Sequence, residues 1–252
     1  MSQPRVAPRS IARHGIVIVN IIAAVAATIV VSELRLDATL AARTPSVSAL
    51  TNGPGSAQAA SDRFVPARRV SGSLPATPPP TVIGWIDETL EVAIDATGHV
   101  AEVKMLRATQ LPTDPLALAV ADWRFRPATY GGHAVPSRVL VAAMFRPPQL
   151  YDNPTLGAPP VDLAAPSDEI PFPLVNTPPR YPPLAIGDAI VLVEASVTAN
   201  GRAQRLRIVG GAPTFDRAAL DAAIRWSYRP ARWNNRVVQA YAYLVFGFRQ
   251  PN

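Results

Sequence analysis

The pattern that most limits how this chain can fold is a spacing of 103 residues that recurs along its C-terminal part. Gly84 maps onto Gly187, Gly98 onto Gly201, Trp123 onto Trp226, and Phe145-Arg146 onto Phe248-Arg249. The strongest block sets Trp123-Arg124-Phe125-Arg126-Pro127-Ala128 against Trp226-Ser227-Tyr228-Arg229-Pro230-Ala231. Without any gap, 12 of the 63 pairs from 84 to 146 are identical, and they include most of the Trp, Pro and Gly landmarks. Chance would not keep those spacings, which predicts two copies of one unit.

The second copy is the more legible. Residues 190–198 alternate, with Val191, Val193, Ala195 and Val197 on one face of a half-buried strand. Asn200-Gly201 supplies the positive φ of a tight hairpin turn, and 204–209 alternate arginine with apolar side chains as the return strand. Asp216 is the expected N-cap of a helix that ends near Trp226, with Pro230 barring any continuation. Residues 237–249 then form one long strand. Copy one repeats this with strands at 88–96 and 100–107, a turn at Gly98, a helix at 114–122 that carries Pro115 at its first position, and a strand at 134–145. Each copy is thus expected to be a β-β-α-β module with an antiparallel sheet and one helix, an α+β fold. Trp123 and Trp226 end apolar helices and are core candidates; Gly98, Gly201, Pro127 and Pro230 are structural.

Outside the modules the chain changes character. Residues 33–80 lack periodicity and end in Ala76-Thr77-Pro78-Pro79-Pro80, and 147–183 hold 12 prolines. These predict a flexible linker at 33–80 and a Pro-rich one at 147–175, between modules at 81–146 and 176–252. Fully extended, the first linker spans ~150 Å and 147–183 adds up to ~115 Å. Module one is then expected to be an intervening bead, a spacer or a second docking point for peptidoglycan or a dimer partner.

Gly15 to Ser32 contains no charge in 18 positions, and Arg5, Arg9 and Arg13 precede it with no acid. A helix of that length is ~27 Å long, close to the ~30 Å hydrocarbon core. The expectation is a single-pass anchor at 15–32, with a cytoplasmic tail at 1–14 and everything later on the far side. A signal peptide cleaved after Ala24-Val25-Ala26 is the competing reading, although the apolar run continues past that point. Ser10 and His14 lie four apart on one helical face; spacing alone favours a hydrated interfacial histidine over a functional one.

These landmarks resemble the TonB-type energy transducers of the Gram-negative inner membrane. Pro179-Arg180-Tyr181-Pro182-Pro183-Leu184-Ala185 is similar to the family's P-x-Y-P-x-x-A. Phe215-Asp216-Arg217-Ala218-Ala219-Leu220 and the Trp226 block are similar to its L-D-x-A-A-L and W-x-F-x-P-A signatures. Ser10-Ile11-Ala12-Arg13-His14-Gly15 fits the S-x-x-x-H-G that opens the family's anchor, which turns the reading of Ser10 and His14 towards motor coupling. The first module lacks the tyrosine motif: Thr81-Val82-Ile83 follows its prolines, and it is read as a degenerate copy. The resemblance implies an inner-membrane protein whose bulk lies in the periplasm. Its implied partners are a proton-driven motor of the ExbB–ExbD type and the TonB box of outer-membrane receptors, for uptake of scarce solutes such as iron-siderophores. The alternatives are a TolA-like envelope scaffold and an exported peptide-binding protein, neither of which transduces energy.

Little supports enzymatic chemistry. His14, His99 and His133 are too scattered for a metal site, and no nucleophile elbow, H-E-x-x-H or phosphate-binding glycine loop occurs. Cysteine is absent, which removes disulfide and thiol chemistry. No cofactor is implied, and binding through the backbone is the expected chemistry. Strand 237–249 is the candidate open edge for an added peptide strand, with Val238, Ala240, Tyr241, Ala242 and Tyr243 along it and Arg180, Tyr181 and Pro182 beside it. Tyr181 is equally read as a structural clasp. The net charge of +6 is concentrated: residues 176–252 hold 10 basic and 4 acidic side chains, whereas 147–175 hold none and 4. An exported basic module excludes nucleic acid and suits an acidic peptide or anionic lipid headgroups.

Overall fold

The computed structural model describes residues 63–77, 86–109, 115–145 and 159–250, all within the second of the two units into which the chain divides after Leu50. The expected anchor at 15–32, with Ser10 and His14, lies outside the described residues. Among the described residues no helix is long and apolar enough to cross a membrane.

Alternating and β-branched runs make most of this unit strand. In chain order the first half holds β1 (Phe64–Val65), β2 (Arg68–Ser71), β3 (Ile86–Ile94), β4 (Val100–Ala108), α1 (Pro115–Ala121), β5 (Arg124–Arg126), β6 (Ala128–Tyr130), β7 (His133–Val135) and β8 (Ser137–Phe145). The second holds β9 (Val161–Asp162), β10 (Phe172–Val175), β11 (Ala189–Val197), β12 (Ala203–Gly210), α2 (Pro213–Ala223), β13 (Ser227–Arg229), β14 (Ala231–Trp233), β15 (Arg236–Val238) and β16 (Ala240–Phe248). The fold is mixed α+β, as the sequence predicts.

The predicted spacing reappears as register. β3 pairs with β8 from Ile86↔Phe145 to Ile94↔Ser137, and β11 pairs with β16 from Ala189↔Phe248 to Val197↔Ala240, each pair 103 residues on from its counterpart. Gly98 and Gly201 turn the hairpins at φ +89° and +74°, where a Cβ would strike the carbonyl oxygens of Phe125 and Tyr228. The Trp123 indole N–H donates to Ser73 O at 2.8 Å, and that of Trp226 to Thr177 O at 2.9 Å. Both rings are buried, as expected.

Several expectations need correction. α2 starts at Pro213 with no side-chain cap, so Asp216 lies in its first turn and is not the N-cap. The helix also stops at Ala223, and Pro230 instead separates β13 from β14. The long strand at 237–249 is two strands, broken at Gln239.

The larger correction concerns assembly. The two halves are not beads on a string. β16 and β8 run parallel, from Ala242↔Leu140 to Gly247↔Phe145, and join one seven-stranded sheet in the order β12-β11-β16-β8-β3-β4-β9. Equivalent strands that pair in parallel turn opposite faces of their halves to the same side, so the helices lie on opposite faces. Leu116 and Val120 of α1 pack with Leu90, Val141, Leu192 and Val245. Phe215, Ala219 and Ala222 of α2 pack with Leu140, Val193, Leu244 and Phe246. Each half therefore contributes side chains to both cores, and β11 is buried on both faces where the sequence predicts a half-buried strand.

The linkers are shorter than predicted for the same reason. Residues 63–77 and 159–175, read as parts of the linkers, belong to the folded unit. β1 and β2 pair with β6 and β5, while β9 and β10 pair with β4 and β13.

Candidate functional site

The segment before β11 forms one wall of an open groove. Tyr181 sets its edge against Phe215 at 5.5 Å and 76°, and its hydroxyl donates to Gly187 O at 2.8 Å. The Ala185 N–H donates to Pro182 O, closing the turn between these anchors. Tyr181 is thus the clasp that fixes Arg180, Pro182 and Pro183 opposite α2. Desolvation, followed by the charge of Asp188, pushes its hydroxyl pKa up, so it remains a neutral donor.

Across the groove, of about 450 Å3, stand Arg217, Asp221 and Arg225 of α2 and its C-terminal turn. Arg217 and Asp221 pair one helical turn apart at 3.0 Å and neutralise each other. Arg180 and Arg225 have no such partner among the described residues and leave the groove cationic. Leu184 and Ile186 stand beside it, 93% and 84% exposed. A basic groove rimmed by prolines and aliphatic side chains can hold an extended peptide with acidic and apolar residues.

Residues 177–249 match the family described as Gram-negative bacterial TonB protein C-terminal. This segment is a TonB-type C-terminal domain. No curated protein matches the chain. Tyr181 and Trp226, two of the landmarks behind the sequence resemblance, are thereby the groove clasp and a core residue of that domain.

The expected peptide-accepting edge is not open. Ala242 and Tyr243 pair with Ala195 and Glu194 of β11 on one side and with Leu140 and Val141 of β8 on the other. Their ladder groups are committed within the protein, and the Tyr243 side chain is fully buried. Ala240 is buried opposite Val197, Tyr241 lies opposite Ser196, and Val238 is held in the β14–β15 hairpin against Ala231. The structure brings Arg180, Tyr181 and Pro182 together in the groove but does not bring these five to it. β8 and β16 carried a warning: Val139–Phe145 and Ala242–Phe248 are nearly continuous apolar runs, the mark of a strand buried on both faces.

Sequence reasoning missed a charged clasp. Glu194, its side chain 2% exposed, accepts from Arg68 at 2.7 Å and Arg207 at 3.1 Å. Beside it, the Arg69 N–H donates to Tyr243 Oη at 2.6 Å, and the Arg69 guanidinium lies 4.4 Å over the Trp123 ring. The residues around 68 are thereby tied to both halves. In the other half, Glu91 accepts from Arg138 at 2.9 Å and from the Ser167 N–H at 2.9 Å. Glu91 and Glu194 stand at the 103-residue spacing, and Glu194 is the lone acid of its apolar strand, which was the signal available.

Proposed function

We propose that the chain is a single-pass envelope protein that transmits motor-driven force from the inner membrane to outer-membrane receptors. On this reading the TonB-type C-terminal domain grips a receptor's TonB box in the groove beside Arg180, Tyr181 and Pro182. The observation that carries the proposal is the family match over residues 177–249, with Tyr181 clasping one wall of a basic groove. The first half is a degenerate copy of the same domain, supported by equal strand registers at the 103-residue spacing. Lacking the tyrosine motif, it braces the second half through the β8–β16 seam. Residues 15–32 anchor the protein, and Ser10 and His14 couple it to an ExbB–ExbD-type motor.

The test is receptor-dependent uptake of a ferric siderophore by Gram-negative cells that carry the full chain as their only copy. His14→Ala at unchanged protein level should abolish uptake, whereas normal uptake would remove motor coupling. The double variant Arg180→Glu with Arg225→Glu should weaken capture of a receptor's N-terminal peptide.

One observation favours a second reading, an envelope scaffold of the TolA type that works without uptake. With 63–77 and 159–175 in the folded unit, residues 33–62 are what is left of the expected first linker. Those 30 residues reach ~93 Å at about 3.1 Å per residue, well short of the two-linker sum. Lengthening the tether separates the readings: improved uptake supports transduction limited by reach, and an unchanged envelope phenotype with no uptake supports the scaffold.

A further inference from the structure

The two ends of the seven-stranded sheet are finished differently. At one end the chain adds a strand to itself. Arg107↔Asp162 and Ala108↔Val161 pair in antiparallel register, and the Leu163 N–H donates to Leu106 O at 2.8 Å. Two cations secure the added segment: Arg107 Nε donates to Asp162 Oδ1 at 2.7 Å and Lys104 Nζ to Ala165 O at 3.0 Å. A short extended stretch with one acid among apolar residues is what this edge holds.

At the other end, no described residue pairs with the outer side of β12. An unpaired edge presents main-chain donors and acceptors to any extended chain. Its side chains are basic where they face solvent. Arg207 stands at the 103-residue counterpart of Lys104, Arg205 stands where β4 has Glu102, and Arg202 precedes the strand. Gln204, Arg205 and Arg207 are exposed, while Leu206 and Ile208 are half-buried between them. Glu194 is shared by Arg68 and Arg207, which leaves this corner with surplus positive charge.

We propose that the β12 edge, Ala203–Gly210, docks an extended acidic–apolar segment of a partner protein, added as a strand in the way that residues 161–165 are added to β4. The proposal rests on the reading that this chain grips polypeptide partners, and it moves strand addition from β16 to β12. The charge of the edge selects the occupant. Two β12 edges brought together would oppose arginine to arginine, which disfavours a second copy of this chain. Acidic side chains on a foreign strand meet Arg202, Arg205 and Arg207 instead. Bulges interrupt β12 opposite Leu192–Val193 and Glu194–Ser196, the second with Arg205 in the left-handed region at φ +48°, and β4 is bulged opposite Thr89–Leu90 and Ala93–Ile94. The β4 edge still takes its segment beyond the last bulge, so β12 takes a short stretch and not a long strand.

The probe is a synthetic octapeptide that alternates valine and aspartate, offered to the full chain in detergent micelles, with photo-cross-linkers placed in turn at Gln204 and Pro183. The expected result is cross-linking from Gln204 and a loss of about tenfold or more in affinity for Arg202→Glu with Arg205→Glu. Backbone N-methylation of the peptide should abolish binding, since an added strand needs its N–H groups. Cross-linking from Pro183 alone would overturn the β12 site while leaving the peptide-gripping reading intact in the groove. No cross-link from either position would overturn both. Sedimentation that shows a dimer broken by Arg205→Glu would assign the edge to a second copy and overturn the partner.

Discussion

The Glu194 carboxylate, buried within the sheet, accepts hydrogen bonds from Arg68, 126 positions earlier in the chain. Arg68 lies on β2, which pairs with β5 of the first half, whereas Glu194 lies on β11 of the second. The pair is therefore a cross-tie between halves, and its stabilising value depends on Glu194 having no water to fall back on. A double-mutant cycle with Arg68→Ala and Glu194→Gln, read by denaturant unfolding, should return a coupling of roughly 1–3 kcal/mol. A coupling near zero would mean that Arg207 alone satisfies the carboxylate.

The same group predicts an acid limit. Burial alone pushes the Glu194 carboxyl up, but the hydrogen bonds and charges of Arg68 and Arg207 outweigh it and hold the pKa below 4.5. With the folded value depressed, the contribution is complete above about pH 4.5 and is lost as pH falls through the folded value. Asp87 works in the opposite sense. Burial raises its pKa despite Arg107, so its charge costs stability that is relieved as pH falls towards 3.8. Unfolding midpoints between about pH 6 and pH 3 should show Glu194→Gln weaker than wild type at the upper end and converging with it at the lower.

Gly98 and Gly201 should be equally intolerant. Both need positive φ, and both bring their backbone against a carbonyl oxygen of the following short strand. Alanine at either position should cost more than about 1 kcal/mol. A large loss at one and none at the other would break the structural equivalence of the two hairpins.

The seam predicts one unfolding transition. Trp123 of the first half meets the Tyr243 ring of the second edge-on at 5.8 Å, and the parallel β8–β16 ladder runs between the halves. Trp123→Ala should cost roughly 3–5 kcal/mol. Amide exchange should then accelerate in β11 and β16 as much as in β3 and β8. Protection that survives in β11 and β16 alone would mean that the halves unfold separately.

Much of this was legible in the residues. The hairpin glycines, the buried faces through Val191 and Val193, the buried tryptophans and the alternation of Arg205, Arg207 and their apolar neighbours follow from local sterics and a period of two. Arg180, Tyr181 and Pro182 were grouped in advance because they sit in a compact motif, whereas Arg217, Asp221 and Arg225 on the facing wall were not named with them. The Glu194 clasp was not, since its partner lies 126 positions away and nothing local marks Arg68 as different from other arginines.

The sequence by itself determined two similar sets of strands and a helix, where each turns, and that the second set is the basic one. Only the tertiary structure decided which strands are edges. Ladder hydrogen bonds are made by main-chain groups that every residue except proline carries alike, so β16 reads the same whether its far side meets water, a foreign peptide or β8. Pairing with β8 won because it buries the apolar runs of both strands on both faces, leaving β12 with one side that no described residue pairs.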